Sequence, residues 1–86
     1  MTRIYPEGES ISVKLNSDGY PQQFIWNGRT HDIQSIRQRW QVDTDWWSEE
    51  GRVNREYFSV TTSSGILCVI NFNLLDQNWY LSKLYD

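Results

Sequence analysis

The amino-acid sequence predicts an all-β fold: a small antiparallel barrel or strongly curved sheet of about six strands, with a Trp-containing loop or short helical turn near 43–54. Three observations carry this expectation. Turn-forming residues recur at short intervals, at Asp18-Gly19, Asn27-Gly28, Glu50-Gly51, Ser64-Gly65 and the polar Asp76-Gln77-Asn78. The runs between them are short and β-rich, and the first of them alternates with the two-residue period of a half-buried strand. Five tryptophans, Trp26, Trp40, Trp46, Trp47 and Trp79, stand in or beside those runs, and each can bury roughly 150–250 Å², enough for a few to substitute for a layer of aliphatic core.

Residues 1–8 show no alternation and read as a flexible lead-in. From Ser10 to Asn16, Ile11, Val13 and Leu15 face one way while Ser12 and Lys14 face the other, which makes a half-buried strand. Gln22 to Trp26 forms a second strand. Asn27-Gly28 then supplies the dipeptide preferred by a two-residue type I′ hairpin, whose central positions both need positive φ. A long third strand follows, from Arg29 to about Val42, with Ile33 on one parity and Ile36, Trp40 and Val42 on the other. A change of parity within one strand requires an extra residue, so a β-bulge is expected near Gln34-Ser35. A helix is the rival reading of 33–42, because Ile33, Ile36 and Trp40 are also spaced by three and four. Asp43 to Asn54 reads as a loop. Arg55 to Thr62 and Ile66 to Leu74 pair around Ser63-Ser64-Gly65, and Asn78 to Tyr85 returns as the last strand, with Trp79 expected in the core.

Length and composition narrow the function classes. Eighty-six residues make a single domain, 1–86, that hides roughly 60–65 % of its unfolded surface. Hydrophobic content is 38 % and charged content 22 %, and no apolar run approaches the ~18 residues that a membrane helix needs. The first residues lack a secretory signal, and the single Cys68 cannot form an internal disulfide. The expectation is therefore a cytoplasmic protein that does not enter a membrane, with its oligomeric state open.

The chemistry-bearing residues favour binding over catalysis. His31 and Asp32 are adjacent, so on a strand they face opposite sides and cannot act as a base and its orienting acid. His31 reads as a surface or hairpin residue, and Cys68, within Ile66-Leu67-Cys68-Val69-Ile70, as a small buried hydrophobe. Asp43, Asp45, Glu49 and Glu50 form a solvated acidic loop without the glycine turn of a calcium site. No metal, cofactor or catalytic residue is expected, and the chain reads as a non-enzyme. The candidate binding surface comprises Arg37, Arg39, Trp46, Trp47, Arg55 and Tyr57. Interface centres are enriched in Trp, Tyr and Arg. One of Trp46 and Trp47 would cap the barrel mouth while its neighbour stays exposed as an anchor; which one stays open. The arginines have an ordinary reading as well, as polar residues paired across strands to Asp32 or Glu56. Cationic grooves joined to stacking rings also bind single-stranded nucleic acid. The net charge of −3, from eleven carboxylates against eight Lys and Arg, weighs against that use.

The ordered set Pro21-x-x-Phe24-x-Trp26-x-Gly28-Arg29, Ile33, Trp40, Trp46-Trp47, Arg55-x-Tyr57, Trp79-x-Leu81 and Tyr85-Asp86 resembles a small bacterial domain of unknown function. That domain is similar to the one at the C-terminal end of ImuB-type Y-family polymerase homologues, the catalytically degenerate subunit of a damage-induced mutasome, and the likeness spans roughly residues 11–86. The polymerase homologues carry an Arg-Asp-Tyr-Tyr type run where this chain has Arg55-Glu56-Tyr57-Phe58. The resemblance implies an accessory or adaptor role in DNA-repair or translesion polymerase assemblies, with repair-polymerase components as protein partners. The chain has no palm carboxylates and no room for fingers or thumb. Protein docking is thus the primary expectation, and weak binding of single-stranded nucleic acid through the same rings and arginines is the alternative.

Overall fold

The structure, a computed structural model, describes residues 2–43 and 54–85. Six strands appear in chain order: β1 (Thr2–Leu15), β2 (Pro21–Trp26), β3 (Arg29–Asp43), β4 (Asn54–Thr62), β5 (Leu67–Asn73) and β6 (Asn78–Tyr85). Each is antiparallel to the next, and β6 pairs back with β1 to close a barrel. An up-and-down path with an even number of strands brings first and last together antiparallel, so the ladder closes without a parallel seam. No helix occurs among the described residues, and 33–42 is strand throughout.

The two longest strands turn the corners. β1 pairs with β6 over Thr2–Ile11 and with β2 over Ser12–Leu15. β3 pairs with β2 over Arg29–Asp32 and with β4 over Ile33–Asp43. Residues 2–8, expected to be loose, instead form the first half of β1. Its ladder to β6 is interrupted between Ile4 and Glu9, where Gly8 adopts a φ of +79° and a Cβ would come within 2.9 Å of the Tyr80 side chain. That close approach is why glycine stands there.

The bulge expected at Gln34 is present: Ile33 lies opposite Thr62 and Ser35 opposite Thr61. A second, unforeseen bulge follows, with Ile36 opposite Val60 and Gln38 opposite Ser59, which leaves Arg37 as the extra residue. Two bulges three residues apart put Ile33, Ile36 and Arg39 on the inward parity. This produces a helix-like spacing on a strand and accounts for Ile33 and Ile36, two of the three residues behind the rival reading. The second bulge also turns Trp40 outward, where it is exposed.

The core consists of Ile11, Phe24, Phe58, Val60, Cys68, Ile70, Leu81 and Leu84. Burial of each large apolar side chain contributes about 1.5–3 kcal/mol. No described tryptophan is fully buried; Trp26 and Trp79 are half-buried and pack against the core from its margins. Aliphatic side chains and two phenylalanines therefore fill the centre that the sequence suggested for indoles. His31, expected as a surface or hairpin residue, lies in the β2–β3 hairpin, half-buried and stacked on Phe24 at 4.9 Å between ring centroids. It lies opposite Phe24 in the ladder, so the pleat turns both rings to the same side. Asp32 faces outward, as alternation requires, and accepts a hydrogen bond from Gln23 Nε2 at 2.8 Å. Cys68 is 1 % exposed, and burial pushes its thiol up to about 11, which makes it inert at neutral pH. Asn27 and Gly28 have φ of 53° and 73°, matching the type I′ turn.

Candidate functional site

The ends of β1, β3 and β5 and the starts of β2, β4 and β6 gather at one end of the barrel. Between them opens a cavity of about 390 Å³ lined by Leu15, Asp18, Gly19, Tyr20, Arg39, Glu56, Phe58, Phe72 and Trp79. Each wall has a local cause. Asn16 organises the first turn: its Oδ1 accepts hydrogen bonds from the Asp18 N–H at 2.9 Å and the Tyr20 N–H at 3.0 Å, while its own N–H donates to the Tyr20 carbonyl at 2.8 Å. Gly19 takes the positive φ within this turn. Tyr20 is thereby held at the cavity rim immediately before Pro21 begins β2. Phe72 and Trp79 are register partners on β5 and β6 with ring centroids 5.1 Å apart, and Trp79 also meets Phe58 at 5.6 Å.

Arg39 crosses this mouth. Its Nε donates to Glu56 Oε1 in an ion pair, its Nη1 lies 3.4 Å from the Tyr20 hydroxyl, and its guanidinium carbon sits 5.7 Å from the Tyr20 ring centroid. The Arg39 side chain is 53 % exposed, so the pair is worth little in folding and remains accessible. Leu15 and Tyr20 on the rim are exposed large side chains, and so are Leu74 and Leu75 in the β5–β6 connection at the same end. Exposed apolar side chains such as Leu15 and Tyr20 beside a ring-lined opening are a common signature of a docking surface.

The residues singled out from the sequence separate onto two faces. Arg37 and Arg39 border a shallow hollow with Tyr20, Ile36 and Gln38, but the bulge at Arg37 ends the simple alternation expected of them. Tyr57 and Arg55 face outward on β4, away from the cavity. Tyr57 stacks on its ladder partner Trp40, with centroids 5.4 Å apart and planes 4° apart. Arg55 belongs to an outer-face network: its Nη1 donates to Asn71 Oδ1 at 3.4 Å, its guanidinium lies 5.5 Å from the Tyr80 ring centroid, and Asn71 Nδ2 donates to Ser82 Oγ at 2.6 Å. Tyr80 in turn donates to Asp76 Oδ2 at 2.7 Å. That bond, with the Asn78 N–H and the Arg55 charge, holds the Asp76 carboxyl below its ordinary value, while the Tyr80 phenol is raised chiefly by the same carboxylate. Trp46, Trp47, Asp45, Glu49 and Glu50 lie outside the described residues.

Glu56, Tyr20, Phe72 and Trp79 were not among the site residues expected from the sequence. Glu56 was legible as the middle of Arg55-Glu56-Tyr57, since a strand turns the central residue to the opposite face from its neighbours. Tyr20 carried only the signal of a large ring between a turn glycine and a proline.

Residues 3–86 match the family model described as Domain of unknown function (DUF6504). The chain belongs to the DUF6504 family. No curated protein and no solved structure shows a significant match to it. The match takes in all six strands and both the cavity and the outer-face network.

Proposed function

We propose that this DUF6504 domain is a non-enzymatic interaction module that docks a protein partner at the ring-lined end of its barrel. The observation that carries the reading is the cavity lined by Tyr20, Phe58, Phe72 and Trp79, edged by exposed Leu15 and crossed by the accessible Arg39–Glu56 pair. Rings supply apolar anchoring area, and a solvent-exposed ion pair can exchange partners at small cost, so one site gives both affinity and orientation. The resemblance to the terminal domain of ImuB-type polymerase homologues directs the choice of partner: the domain serves as an accessory or adaptor in a repair-polymerase assembly, and its components are the partners to test.

A second reading has its own support. Trp40 is exposed, stacks on Tyr57 and has Arg55 close by on β4, a combination that suits weak stacking of single-stranded nucleic acid on the outer face. Salt and position separate the two. Titration of the purified chain with repair-polymerase components should give binding that Tyr20→Ala weakens about tenfold or more and that salt changes little. Binding of a single-stranded oligonucleotide that falls steeply with salt and is lost in Trp40→Ala would replace the docking reading with the second. Failure of every such component to bind would remove the assignment to polymerase assemblies.

A further inference from the structure

We infer that the partner binds as an added β-strand on the edge of β3 that no described strand covers, with alternate side chains entering the cavity; this rests on the docking reading above and specifies its mode. The argument starts from the ladder. β3 has fifteen residues, and β2 pairs with it only at Arg29–Asp32. Beyond Asp32, β4 occupies one side of β3 as far as Asp43, and no described strand occupies the other. The last β2–β3 pair is Gln23 with Asp32, and β2 itself begins only two residues earlier, at Pro21. β2 and β3 therefore part company at this point, and the Asn16–Tyr20 turn stands across the gap.

A strand edge presents N–H and C=O groups that need partners. From Gln34 to Val42 this edge is about 30 Å long at ~3.3 Å per residue, enough for a segment of five or six residues with room to choose register. Its surface is indented where Gln38, Arg39 and Trp40 line one hollow and Arg37 and Tyr20 border another. Arg39 lies on the inward parity and lines the cavity, so the inward side chains of an added strand would descend toward the rings. The period of a strand then predicts the ligand class: an extended peptide with apolar residues at every second position.

The same edge argues against a second copy of this chain as occupant. Antiparallel self-pairing centred on Gln38 would set Arg37 of one copy against Arg39 of the other, and like charges directly across a ladder are unfavourable. A partner segment with acidic residues beside its apolar ones meets no such penalty.

The test uses the full chain and a displayed library of random decapeptides selected on it. The enriched peptides should alternate apolar and polar residues, and Tyr20→Ala should weaken them about tenfold or more. Bound peptide should slow amide exchange along residues 34–42. N-methylation of the peptide at alternate backbone nitrogens should abolish binding in one phase and leave it nearly unchanged in the other. Binding that is sensitive to Tyr20→Ala but indifferent to N-methylation in both phases would overturn strand addition while leaving docking at the cavity intact. Absence of any enriched peptide, or enrichment of peptides indifferent to Tyr20→Ala, would overturn both. A concentration-dependent dimer protecting the same amides would make the occupant a second copy and refute the partner peptide.

Discussion

Arg39 and Arg55 each hold a guanidinium over a tyrosine ring, 5.7 Å from the centroid of Tyr20 and 5.5 Å from that of Tyr80, yet the two pairs differ in what surrounds them. Arg55 bonds to Asn71, whose side chain is fully buried on the outer side of β5 and is itself tied to Ser82 on β6. The network spans three strands and satisfies the Asn71 side chain, which water cannot reach. Arg39 and Tyr20 instead stand exposed at the cavity rim, with Glu56 as partner and the ring-lined cavity beside them. The same chemical pair is therefore structural on one face and available on the other. What decides is whether neighbouring groups lose water on folding, since a buried hydrogen bond is costly to break and an exposed ion pair is not.

The largest expected effect comes from breaking the buried side of this comparison. Asn71→Ala leaves the Arg55 and Ser82 groups without their partner and opens space within the sheet, and should cost about 2–4 kcal/mol. Urea unfolding should show it as a lower midpoint at unchanged m. An unaltered midpoint would show that the network contributes nothing to folding.

A direct contrast between the arginines gives the next effect. Arg55→Met should lose about 1–2 kcal/mol of stability, because a partly buried bond to Asn71 disappears. Arg39→Met should change stability by less than about 0.5 kcal/mol and should show its effect in partner binding. Equal thermal shifts in the two variants would erase the distinction drawn here.

The smallest effect is in the pH dependence of the outer network. Asp76 has a folded-state value below its ordinary 3.8, so its contribution is present above that value and is lost as pH falls through the lower folded one. Tyr80 is raised above its ordinary 10.0, so its contribution is present below that value and fades as pH rises toward the folded one. Asp76→Asn should therefore flatten both limbs of the melting temperature against pH while leaving the neutral region nearly level. A wild-type acid limb that survives unchanged in this variant would assign the loss to other carboxylates.

Much of the barrel was legible in the sequence because strand signals are local. Alternation at Ile11, Val13 and Leu15 marked one strand, Asn27-Gly28 marked a hairpin, and the change of parity after Ile33 marked a bulge in the right place. The start of β1 was not legible. Residues 2–8 show no alternation, and their strand is imposed by pairing with β6 across an irregular stretch that only Gly8 against Tyr80 accommodates. The second bulge at Arg37 was equally hidden, because one extra residue in a polar stretch leaves no break in an apolar pattern.

The candidate site was less legible than the fold for the same reason. Residue types in Arg37, Arg39, Arg55 and Tyr57 pointed to binding, but face and burial depend on register. Sequence by itself determined the strand-rich architecture, the hairpin turns and the supply of rings and arginines, since these follow from backbone propensity and two-residue periodicity. Only the tertiary structure decided that Tyr20, Glu56, Phe72 and Trp79 meet around one cavity and that Arg39 opens onto it while Arg55 is locked beneath Tyr80. Closing the barrel brings together side chains from five strands and a turn, and that juxtaposition is a property of register and closure, which no local pattern encodes.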